Sequence, residues 1–223
     1  MCGRFYLDVA AGVLTDYFDI SSILMDVADW RVRYNIAPGQ DIAIVRDMGT
    51  ARELTWARWG LVPHWSKEEK PKYSTINARA ETLSEKPAYR EPFKRKRCLI
   101  PASGFYEWQQ TEGKKTPYLI RRPKGGLMAF AGLWDHWEKK GEGFDSCTII
   151  VTQANRAMQA LHERMPVLLE SDQFQTWLNP ESQNREELEP LLKPFAGALE
   201  MFPVSRYVNS PTHDDIRCIE PSG

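Results

Sequence analysis

Long apolar runs are missing from this 223-residue chain. No stretch approaches the roughly eighteen apolar residues of a membrane-spanning helix, so no membrane partner is expected. No charged n-region followed by an apolar stretch opens the chain, so no secretory leader is expected either. A charge excess is also missing: 29 Lys and Arg stand against 30 Asp and Glu, a formal net charge of -1. The bulk balance therefore names no polyanionic partner, and any such partner needs a locally basic surface. Cysteine is scarce, at Cys2, Cys98, Cys147 and Cys218, with no C-x-x-C pair and no zinc spacing. Reduced thiols, a cytoplasmic location and no metal or other cofactor are the expectation. Repeats, low-complexity tracts and Gly/Ser linkers are absent, which favours one domain over residues 1–223. The hydrophobic fraction of 42% is enough for one sizeable core.

What is present is a succession of short β-patterned segments. DIAIVRD (41–47) and RELTWARWG (52–60) alternate and predict two strands joined by a turn at Met48-Gly49-Thr50. CLIPASGFYEWQQ (98–110) predicts a strand, a bend from Pro101 to Gly104, and a second strand. TEGKKT and RPKGG read as turns, each followed by a strand, PYLIRR and LMAFAGLW. SCTIIVT (146–152) reads as a buried central strand, and LEMFPVS as a late one. Helices are predicted in DVAAGVLTDYF (8–18), ANRAMQALH (154–162), SDQFQTWL and NREELEPLL. Hairpins with interspersed helices imply an α+β fold built on a mainly antiparallel, barrel-like sheet with peripheral helices.

The chain begins MCGRF. A cysteine directly after the initiator becomes chemically distinctive if Met1 is removed, as aminopeptidases generally do before small residues. The product is a 1,2-aminothiol, with an amine titrating near ~8 and a thiol near ~8.5. The amine forms an imine with an aldehyde, and the neighbouring thiol adds to the same carbon to close a five-membered thiazolidine. The bland alternative is an incidental cysteine. Glu107 lies between Tyr106 and Trp108, where burial raises a carboxyl pKa and suits it to proton transfer; an outward-facing strand carboxylate is the equal alternative. His162, in LHERMPVLL, is a proton-shuttle candidate whose plainer reading is a surface histidine after a helix. Asn77 and Arg79 in STINARAET share one face if that segment is a strand, and would hold a phosphate or sugar; a capped helix start supported by Glu81 is the alternative. FKRKR (93–97) reads as a solvated loop rather than a phosphate track. Trp59 is assigned to the core, while Trp65 and the Pro38-Gly39 turn are nominated as stacking surface for bases.

Taken in order, MCGRF, RYNIAPGQ, RWGLVPHW, INARAET, RCLIPASGFYEW, LHERMPVLL and PVSRYVNSP resemble the SRAP (SOS response-associated peptidase) family, from residue 2 to near the C-terminus. The resemblance implies a single SRAP domain with a distorted antiparallel barrel. It implies binding of single-stranded DNA, including junctions with duplex, and a covalent thiazolidine link to abasic sites. It carries Cys2 over as the nucleophile, with Asn77, Glu107 and His162 as active-site residues and Arg4 and Arg79 as phosphate contacts. Arg164 joins these as a third basic candidate. A monomer, associated with the nucleoid when on DNA, is expected, with autocatalytic loss of Met1 and a side lyase activity. Two rival functions stay open: a cysteine peptidase or amidase using Cys2, His162 and Asn77, and a non-catalytic single-stranded DNA-binding module.

Overall fold

A computed structural model describes residues 2–70, 73–111 and 113–222. In chain order its strands are β1 (Phe5–Leu7), β2 (Ser22–Ile23), β3 (Arg33–Ile36), β4 (Asp41–Asp47), β5 (Arg52–Trp59), β6 (Asn77–Arg79), β7 (Arg97–Ala102), β8 (Gly104–Thr111), β9 (Lys114–Arg121), β10 (Met128–Lys139), β11 (Glu142–Gln153), β12 (Arg164–Pro166), β13 (Leu168–Leu169) and β14 (Glu200–Pro203). The helices are α1 (Ala11–Phe18), α2 (Pro87–Arg95), α3 (Phe174–Leu178) and α4 (Arg185–Leu188).

Strand pairing explains the architecture. Along β11–β10–β7–β4–β5 every pairing is antiparallel, and a short parallel pairing, Ser146 with Arg58 and Cys147 with Trp59, returns β11 to β5. Those five strands close into a mixed barrel, which removes two open edges. A second, wholly antiparallel sheet runs β14–β9–β8–β1–β3. Between them sits one large apolar cluster, in which Phe5 meets Trp59 and Phe130 edge-on and Phe105 meets Phe130 likewise. Such pairs add roughly 0.5–1.5 kcal/mol each beyond the area they bury.

The α+β, barrel-like expectation holds, and the strands at 41–47, 52–60 and 98–110 form close to their predicted bounds. The turn read at TEGKKT contains Glu112, which lies outside the described residues, as does Met1. Two local readings are corrected. Residues 154–162 hold only a single 3-10 turn, Met158–Ala160. Gln153 and Arg164 are ladder partners, so the ten residues between them must reverse the chain; Asn155 caps the turn by accepting from the Met158 N–H at 2.9 Å. FKRKR is not a solvated loop: Phe93–Arg95 end α2 and Arg97 opens β7 fully buried. Its guanidinium donates to the carbonyls of Phe93, Lys94, Trp177, Asn179 and Ser182, so the charge ties α2 to the segment around α3. The two predicted late helices shrink to single turns, α3 and α4, each flanked by 3-10 turns.

Candidate active site

Cys2 leads directly into β1, which pairs with β8 through Phe5–Phe105 and Tyr6–Gly104. The Tyr106 N–H donates to the Arg4 carbonyl at 3.0 Å, so Cys2-Gly3-Arg4 runs beside Tyr106-Glu107-Trp108. Cys2 is fully buried and Glu107 nearly so. Burial pushes the Cys2 thiol well above its ordinary range, and the Glu107 carboxylate pushes it the same way, while a hydrogen bond at the Arg4 backbone pulls down. The sulfur is therefore a protonated thiol near a carboxylate, not a preformed thiolate.

Asn77 approaches from the other sheet. Trp59, packed 5.3 Å from Phe5, donates its indole N–H to the Ile76 carbonyl at 2.9 Å, which fixes the chain one residue before Asn77. On β6, Ala78 is buried while Asn77 and Arg79 face the other way, as strand alternation requires. Buried Asn77 Oδ1 accepts no hydrogen bond from the described residues. His162 stands two residues before β12. Its Nδ1 accepts from the Arg164 N–H at 2.9 Å, so a neutral ring carries its proton on Nε2. Gln109 on β8 donates to the Ala160 carbonyl at 3.1 Å, tying the strand of Glu107 to the His162 turn.

The arginines differ in how their charge is met. Arg4 Nη1 donates to Asn35 Oδ1 at 2.7 Å and to the Val208 carbonyl at 3.0 Å, both neutral acceptors, and its buried Nε has no partner among the described residues. Its guanidinium lies 5.8 Å from the centre of the Trp108 ring. Arg33, Arg46, Arg58, Arg121 and Arg122, by contrast, all pair with carboxylates. Among the described residues Arg4 is thus a half-buried cation with no carboxylate partner. Arg79 is exposed, and Arg164 pairs with Glu81 at 2.5 Å.

Three grooves join Trp65, Asn77, Arg79 and Arg164, while Cys2, Arg4, Glu107 and His162 line none of them. Trp65 and Tyr73 line one of about 380 Å³, with Lys67 and Lys70. Tyr73 also lines a second of about 580 Å³, with Asn77, Arg79, Lys86 and Tyr89. Arg79 opens onto a third of about 560 Å³, shared with Arg164, Gln153 and Gln159. Trp65 is 53% exposed. Pro38 is exposed on the turn before β4 and lines none of the three. Tyr73, Lys86, Tyr89 and the Asn35 hub were not singled out in the sequence. Lys86 caps α2 and Tyr89 lies in its first turn; the helix is only nine residues long and carries Pro92 inside it, which masks it in the sequence. Among the described residues no group of three His, Cys, Asp or Glu side chains is arranged to hold a metal ion, and no helix is long and apolar enough to cross a membrane.

A family model described as "SOS response associated peptidase (SRAP)" matches residues 1–211. The chain belongs to the SRAP family. Among SRAP relatives, "Abasic site processing protein YoaM" of Bacillus subtilis is 42% identical over 223 residues, covering 99% of this chain and 98% of its own. "Abasic site processing protein YoqW" of the same organism is also 42% identical, covering 99% of each chain. A crystal structure of a protein from Bacteroides thetaiotaomicron superposes with a TM-score of 0.88 at 27% identity, covering 99% of this chain and 100% of the other. The SRAP barrel and its second sheet are therefore shared over the whole length; Cys2 and Glu107 sit at the β1–β8 pair of the second sheet, Asn77 on β6 beside β11, and His162 on the turn that Gln109 ties to β8.

Proposed function

We propose that this SRAP chain handles abasic sites in DNA, binding single-stranded DNA and capturing the abasic sugar on Cys2 as a thiazolidine. The observation that carries the reading is the buried Cys2 running beside buried Glu107, with an Arg4 side chain that meets only neutral acceptors among the described residues. The naming of YoaM and YoqW as abasic site processing proteins supports the same substrate.

The chemistry follows from that placement. With Met1 removed, the α-amine of Cys2 is the better first nucleophile, because its own sulfur is protonated. His162 presents an Nε2–H to the ring oxygen of the closed sugar: the C1′–O4′ bond breaks, that oxygen takes the proton, and the proton of the C1′ hydroxyl returns to Nε2 through water, leaving the aldehyde. Glu107 takes a proton from the ammonium, and the amine adds to C1′. Loss of water leaves the imine. The thiol then adds to the imine carbon: the C–S bond forms, the S–H proton passes by way of Glu107, and the former imine nitrogen becomes a ring N–H. The product is the aldehyde plus the aminothiol less one water. Asn77 Oδ1, a buried acceptor without a donor, offers its lone pairs to a sugar hydroxyl or to the attacking amine. Phosphates approach Arg4 and Arg79, and bases stack on Trp65 and Tyr73.

Intact-protein mass spectrometry before and after incubation with a single-stranded oligonucleotide bearing one abasic site tests this. A free mass lacking Met1, and a heat-stable adduct absent in Cys2→Ala, are expected. Loss of Met1 without an adduct moves the assignment to a peptidase or amidase. Binding without an adduct, with Met1 retained, leaves only a DNA-binding module.

A further inference from the structure

Two arginines line one groove together with Glu163, and a second carboxylate, Glu81, pairs with one of them. Arg79 on β6 and Arg164 on β12 flank β11, where Val151 pairs with Arg79 and Gln153 with Arg164. Both line the same cavity of about 560 Å³. Glu81, two residues beyond Arg79 on the following 3-10 turn, accepts from Arg164 Nη1 at 2.5 Å. Its side chain is 44% exposed, against 17% for Arg164. Burial pushes the Glu81 carboxyl up, but the Arg164 hydrogen bond and the charges of Arg164 and Arg79 outweigh it and hold the carboxyl below its usual range. Among the described residues the Arg79 side chain makes no hydrogen bond or ion pair, though its charge reaches Glu81.

We infer that Glu81 is a placeholder for a backbone phosphodiester, holding Arg164 in position in the free protein and giving way when a nucleotide strand enters the groove. The inference rests on the single-stranded DNA reading above and names the contact within it. A carboxylate and a phosphodiester offer the same fork of anionic oxygens to a guanidinium, so one stands in for the other without rebuilding the site. The pair is exposed enough to exchange, because ion pairs in contact with water are individually weak. Arg4 needs no such placeholder: Asn35 and the Val208 carbonyl already fix it. The two halves of the DNA surface are thus prepared differently, Arg4 by a rigid neutral cradle and Arg164 by a displaceable anion.

The test is binding of a labelled single-stranded oligonucleotide without abasic sites, across a salt series, by fluorescence anisotropy. Glu81→Gln keeps size and hydrogen-bonding reach but removes the charge. It is expected to tighten binding by about threefold or more at low salt. It should also steepen the fall of log K with log[salt] by up to ~0.7, since a freed carboxylate no longer recaptures a cation. In an Arg164→Gln background the same change should have a much smaller effect, limited to the charge that Glu81 sets against Arg79. Unchanged affinity and slope on Glu81→Gln would reduce Glu81 to a structural partner. Weakened binding would mean that the carboxylate is needed to aim Arg164 even in the complex. Failure of the unaltered protein to bind the oligonucleotide at all would instead sink the single-stranded DNA reading. Thermal melting of each variant, expected to stay near the parent, separates these outcomes from misfolding.

Discussion

Asn35 has no exposed surface, and its side chain holds four partners. Oδ1 accepts from Arg4, while Nδ2 faces the carbonyls of Val208, Ser210 and His213 at 3.1, 2.9 and 2.6 Å. Asp214 completes the joint by accepting from the backbone N–H groups of Tyr34 and Asn35 and from Arg33 Nε. One amide therefore fastens the C-terminal segment to β3 and sets the guanidinium that we assign to phosphate. The partners lie 31 to 178 residues away, so nothing local in RYNIAPGQ marks Asn35 as more than a turn residue. Asn35→Ala strips the donor from buried carbonyls and should lower unfolding free energy by about 2–3 kcal/mol. Urea denaturation should show an earlier midpoint with an unchanged slope, and oligonucleotide affinity should fall with it. A variant as stable as the parent would mean that water replaces the amide at no cost.

At the scale of elements, the same distinction decides what the sequence discloses. Strands β4 and β5 are legible because each is a short run rich in apolar residues and a Gly49 turn with φ of 86° joins them. The closure of β11 onto β5 is not legible, since a two-residue parallel bridge leaves no periodic trace. Of the candidate site, Cys2 follows from its own chemistry, whereas pairing Glu107 with it required the β1–β8 register. The connection that displays Trp65 is another long-range construction. Val62 N–H donates to Ser146 Oγ at 2.8 Å, and buried Asp135 on β10 accepts from His64 N–H and from Lys96 Nζ, with His64 Nδ1 3.0 Å away. Among the described residues this anchor is the only hydrogen-bonding role of His64. Asp135→Ala should release residues 61–66 from the barrel. Hydrogen–deuterium exchange in that segment should quicken by roughly tenfold or more, while β10 and β11 exchange as before. Uniform acceleration across the barrel would show that Asp135 supports the core rather than the loop.

Over the whole molecule, the formal charge of -1 says little, because the charges that matter are local and mostly paired. Buried phenols give a sharper global property. Tyr6 packs in the smaller apolar cluster with Tyr106 and Cys218, and Tyr89 lies on α2 against the larger one. Burial, above all, raises each from 10.0 to about 12; for Tyr6 the charge of Asp8 adds to the rise, and for Tyr89 that of Tyr73. A phenol with a folded pKa above its unfolded value keeps its proton longer in the native state. Its contribution is fully present below about pH 10 and is lost as pH climbs towards about 12. By about pH 11 each such phenol should have removed on the order of 1 kcal/mol, so the two together weaken the fold by on the order of 2–3 kcal/mol relative to neutral pH. Urea unfolding at about pH 8 and about pH 11 measures this, and Tyr89→Phe should shrink the difference by about half of that amount. An identical pH dependence in Tyr89→Phe and the parent would mean that the phenol ionises without opening the α2 interface.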